Sequence, residues 1–95
     1  MRTLLLAVVA NAMHVIDGSR RPADSQAKAE FATNYLSALD FFRGGPRSTL
    51  HWIAAHVDAL DETLVRRRAF QIARANLENR PRRFAFSREW IKKNA

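Results

Sequence analysis

Apolar side chains recur every three or four residues along most of this chain, and few residues interrupt them. There are only three Gly and three Pro in 95 residues, too few for an all-β fold built on many tight turns. The spacing predicts an all-α protein: a small bundle of four main helices plus a short C-terminal helix. Ninety-five residues is the size of one domain, so 1–95 reads as a single helical domain. Residues 80–95 form a basic, aromatic segment at its end.

The first helix is expected from about Arg2 to Ile16, with Leu5, Val9, Ala12 or Met13, and Ile16 on its inner row. Leu4, Leu6 and Val8 widen the apolar face almost all round, which predicts cover on most sides, at the centre of the bundle or at a subunit interface. Gly18 suits a left-handed helix stop. A second helix is expected from an Asp24 cap to Phe42, with Ala27, Phe31, Tyr35, Leu39 and Phe42 on one stripe. Gly44-Gly45-Pro46 is the strongest break, with Gly44 as a cap. Ser48 should cap a third helix over Thr49–Val57, and Asp61 a fourth running to about Asn79. One continuous helix from Ser48 to Asn79 is the alternative. In the fourth helix Val65, Ala69, Ile72, Ala73 and Leu77 face inward, and Arg67, Gln71, Arg74 and Glu78 outward. Pro81 ends it. Residues 82–86 are expected to be extended or irregular, with room for one short strand, before Ser87 caps a last helix from Arg88 to Lys93.

Met1-Arg2, the apolar run Thr3–Ala10 and Ala10-Asn11-Ala12 imitate a secretory leader. The run is short for that role and far below the ~20 residues that cross a bilayer, so it reads as a buried helix. The chain has no Cys, hence no disulfide and no thiolate chemistry. A small secreted domain usually needs such staples. The expectation is therefore a cytoplasmic protein.

Charge is distributed unevenly. Met1–Val65 carries six basic and seven acidic residues, net −1, whereas Arg66–Ala95 carries ten basic residues against Glu78 and Glu89, net +8. Such asymmetry points to an anionic partner met at one end of the molecule. Thirteen of the sixteen cations are Arg, whose planar fork grips phosphate or carboxylate in a bidentate manner. The same composition also arises from an Arg- and Ala-rich chain with a solvated surface.

Catalytic patterns are missing. His14, His51 and His56 are the only histidines, and a spacing of five between the last two is wrong for a helical metal pair. No nucleophile elbow, P-loop or G-x-G-x-x-G occurs. The expectation is a non-enzyme without cofactor or metal. Ile53, Ala54, Val57, Ala59 and Leu64 fit the packed positions of a helix-turn-helix. Asp58 replaces its turn glycine, however, and Arg67 stands where that motif buries an apolar residue. Asp61 and Glu62 would also meet DNA phosphates first.

The leading expectation is a nucleic-acid-associated protein, a free module or a small subunit of a ribonucleoprotein assembly, on RNA or DNA. Arg66, Arg67, Arg68, Gln71, Arg74, Arg80, Arg82, Arg83, Arg88, Lys92 and Lys93 are the candidate contacts. Phe84, Phe86 and Trp90 interleave with them and are candidates either for stacking bases or for core. The alternatives are a protein-interaction module or accessory subunit using the apolar rows of the first helix and the aromatic tail, and a helix-turn-helix regulator reading duplex sequence through Arg67 and Gln71.

Overall fold

A computed structural model describes residues 2–17, 25–43 and 47–94. Within them the chain forms α1 (Arg2–Asp17), α2 (Ser25–Arg43), α3 (Thr49–His56), α4 (Glu62–Asn79), a 3-10 turn (Ala85–Ser87) and α5 (Arg88–Asn94). No strand occurs among the described residues, so the fold is the all-α bundle that the spacing predicts. The caps read at Gly18, Asp24 and Gly44 lie outside the described residues.

The helices α1, α2 and α4 pack against one another, α3 closes one end, and α5 lies on α4. The core takes Val9 and Ile16 from α1, Tyr35, Ala38, Leu39 and Phe42 from α2, Leu50 and Ile53 from α3, and Ala69 and Ala73 from α4. Ala69 and Ala73 stand one turn apart, and their small side chains let α1 and α2 approach the α4 backbone. Val57, Phe84 and Ile91 complete the core from outside the long helices.

Capping follows from the sequence at α3 and α4. Ser48 Oγ accepts from the His51 amide at 3.0 Å, and Asp61 Oδ1 accepts from the Leu64 amide at 3.1 Å. Between them the chain turns, with the Leu60 amide donating to Val57 O and Ala59 in the left-handed region at φ 70°. That turn rules out a single helix over 48–79. His51 Nδ1 and Glu62 Oε2, 2.9 Å apart, tie the two helices across it.

A polar knot joins the long helices. Asn76 Nδ2 donates to Ile16 O at 2.8 Å and to Tyr35 Oη at 3.1 Å. Ile16 is in the last turn of α1, where carbonyls lack helical partners, so the Asn76 amide supplies one. Burial raises the Tyr35 pKa above 10.0, with the Asn76 hydrogen bond opposing that shift.

Three expectations are narrowed or corrected. Of the two forms expected for residues 82–86, the irregular one holds and the extended one does not: the Arg83 and Phe84 amides both reach back to Arg80 O at 3.1 Å, and a 3-10 turn follows. With no neighbouring strand among the described residues, the turn satisfies these donors locally. Ser87 is not shown capping α5. It is fully buried, and its Oγ donates to Phe84 O at 2.7 Å. Of the two placements expected for α1, the one at the centre of the bundle does not hold: within this chain its partners lie along one stripe, and Leu4 remains 68% exposed, with Leu6 and Val8 also in solvent.

Two stability measurements test this account. Asn76→Ala removes both knot bonds and should cost about 1–3 kcal/mol in denaturant unfolding. Ala59→Gly should stabilise by about 0.5–1 kcal/mol, because glycine occupies the left-handed region without the Cβ clash.

Candidate nucleic-acid interface

The position of each candidate cation follows from the helix that carries it. With about 100° per residue, the buried Ala69 and Ala73 fix the inner side of α4. Arg67, Gln71 and Arg74 then lie on the outer side, and all three are exposed. Arg67 and Arg74 are two turns apart, about 10 Å along one stripe. The predicted stripe also contains Glu78, which is exposed and brings a negative charge into the row.

Helix α5 lies beside this stripe. Its Trp90 ring packs on Phe70 of α4 with centroids 5.6 Å apart, and Trp90 Nε1 donates to Asp40 Oδ1 of α2 at 2.8 Å. Phe70 is about 40–60° around α4 from Arg74 and Arg67, so α5 borders the outer row rather than lying opposite it. Ile91 turns inward, which leaves Arg88, Lys92 and Lys93 exposed on α5. Between the helices, Arg80, Pro81, Arg82 and Arg83 line a shallow open depression. Arg80 and Arg82 are exposed there.

Three candidates are placed differently. Arg66 is half-buried and its Nη1 donates to Arg43 O at 3.3 Å. Arg68 is exposed but about 100° around from Arg67, on the flank away from α5. Arg83 is half-buried, its guanidinium 5.4 Å from the Phe31 centroid and 5.5 Å from that of Phe84. It covers the aromatic core as a cation over ring faces.

The tail aromatics belong to the core rather than to the basic surface. Phe84 is fully buried. Phe86 meets Phe31 and Tyr35 edge-on at 6.1 and 5.4 Å. These contacts hold residues 84–87 against α2 and leave Arg82 before them and Arg88 after them exposed.

Arg67, Arg68, Arg80, Arg82, Arg88, Lys92 and Lys93 form no ion pair with a carboxylate among the described residues. No group of three His, Asp or Glu able to hold a metal occurs among them either. Two features were not singled out in the sequence. Asn76 has a signal there, since it is a polar residue at an inner position between Ala73 and Leu77. The Asp40–Trp90 bond has none, because fifty residues separate its partners. No family model matches the chain, and no curated protein or solved structure does either.

The separate placement of Arg82 and Arg83 is testable by thermal unfolding. Arg83→Gln removes the cation from two ring faces and should destabilise by about 0.5–1 kcal/mol. Arg82→Gln should leave the melting temperature within a degree of the parent.

Proposed function

We propose that this protein binds nucleic acid through its phosphates, without catalysis, as a free module or as a small subunit of a ribonucleoprotein assembly. One observation carries the reading: the exposed Arg67 and Arg68 of α4, Arg80 and Arg82 in the turn after it, and Arg88, Lys92 and Lys93 of α5 have no carboxylate partner among the described residues. A surface of this kind holds condensed positive charge that a polyanion neutralises while releasing its own counterions. Arg67, Arg74, Arg80 and Arg82 are its centre, Gln71 lies among them, and Arg88, Lys92 and Lys93 form its border. Arg66 and Arg83 serve the fold first. The cysteine-free sequence suits a reducing, cytoplasmic setting for such a partner. No helix among the described residues is long and apolar enough to cross a membrane.

A second reading, docking to a protein, is favoured by the exposed Leu4, Leu6 and Val8 of α1. The aromatic tail does not extend that surface, since Phe84 is core and Phe86 and Trp90 are half-covered. A helix-turn-helix reader draws less support. Asp61 and Glu62 occupy the start of α4, engaged with the Leu64 amide and with His51, and Arg67 is exposed where that motif buries an apolar side chain.

The double substitution Arg67→Glu with Arg82→Glu should weaken binding of a labelled polynucleotide on the order of 100-fold at low salt, with an unchanged circular dichroism spectrum. The parent's affinity should also fall steeply between about 50 and 200 mM salt. An unchanged affinity in the variant, or a salt-insensitive complex, would contradict the reading.

A further inference from the structure

We infer that the polyanion taken by this surface is a duplex, gripped by its two phosphate backbones and not by its bases; the inference rests on the phosphate-binding reading above. The argument begins with the rings. Single strands are held without sequence preference by grooves in which bases stack on aromatic side chains. The basic third of the sequence contains Phe70, Phe84, Phe86 and Trp90, which would be the natural platforms. Phe84 is sealed in the core, Phe86 stands edge-on to Phe31 and Tyr35, and Phe70 and Trp90 pack on each other at a tilt of 58°. The one aromatic among the exposed large apolar residues described is Trp52, and its ring is stacked at 4.3 Å on His56 of its own helix α3.

What remains outward is a set of cations on a rigid scaffold. From Arg67 to Arg80 the α4 axis advances about 20 Å. That length exceeds the roughly 12 Å opening of a DNA major groove, so cations at the two ends of α4, Arg67 on its outer side and Arg80 and Arg82 past its C-terminus, reach phosphates on opposite walls. Only a duplex offers two walls at a fixed separation. A single strand would have to be ordered along the row with no stacking gain in return, and its lower charge density releases fewer counterions per contact.

The test compares 30-residue oligothymidylate, a 30-base-pair DNA and a 30-base-pair RNA by fluorescence anisotropy, with the full chain across a salt series. The expected result is at least tenfold tighter binding of one or both duplexes than of the single strand. For DNA, the slope of log affinity on log salt should be about −0.9 per phosphate engaged. The two duplex arms show whether B-form or A-form geometry is preferred. Trp52→Ala should change duplex affinity by less than twofold. Binding of the single strand within tenfold of the better duplex, or loss of binding in Trp52→Ala with the fold intact, overturns the duplex inference while phosphate binding stands. Failure of all three probes to bind at low salt overturns the underlying reading as well.

Discussion

The ring of Tyr35 contacts Phe31, Phe84 and Phe86, and its hydroxyl accepts the Asn76 amide that also satisfies Ile16 O at the end of α1. Three long helices and the C-terminal tail meet at the pair formed by Tyr35 and Asn76. The apolar face of Tyr35 gives the tail a place to dock, and its hydroxyl accepts from the Asn76 amide, which also supplies the partner of the helix-terminal Ile16 carbonyl. Burying such rings releases roughly 1.5–3 kcal/mol each, a large share of what a domain of this size retains as net stability.

The charged surface is a consequence of that docking. Phe84 enters the core, so Arg82 on the approach is left in solvent and Arg83 is laid across the rings. Ile91 enters next, so Arg88 and Lys92 turn outward beside the α4 row. Trp90 fixes α5 through Asp40 and Phe70, which also takes one carboxylate of the chain into a structural bond. The packing that stabilises the tail thus also determines which cations are left for a partner.

Much of this was legible before the structure. The apolar rows located the helices, Ser48 and Asp61 marked two of their starts, and the outward stripe of Arg67, Gln71 and Arg74 followed from seven-residue spacing. The illegible parts depend on contacts distant in sequence. Residues 82–86 carry β-compatible aromatics, but no partner strand occurs among the described residues, and local turn bonds prevail. Arg82 and Arg83 are indistinguishable by type, and it is the rings of Phe84 and of Phe31, some fifty residues earlier, that hold Arg83 and not Arg82. The apolar run of α1 suggested cover on most sides, and the bundle supplies it on one stripe only. Hydrophobicity records what a helix tolerates, whereas the number of neighbours decides what it receives.

The division of the arginines into structural and partner-facing sets is the claim on which the functional account depends. Arginine side-chain Nε–Hε resonances, followed by NMR while duplex is added, read it residue by residue. The signals of Arg67, Arg74, Arg80 and Arg82 should move together, with those of Arg66 and Arg83 nearly stationary and the backbone amides of Leu4 to Val8 unaffected. Uniform small shifts over every arginine, or changes centred on α1, would contradict it.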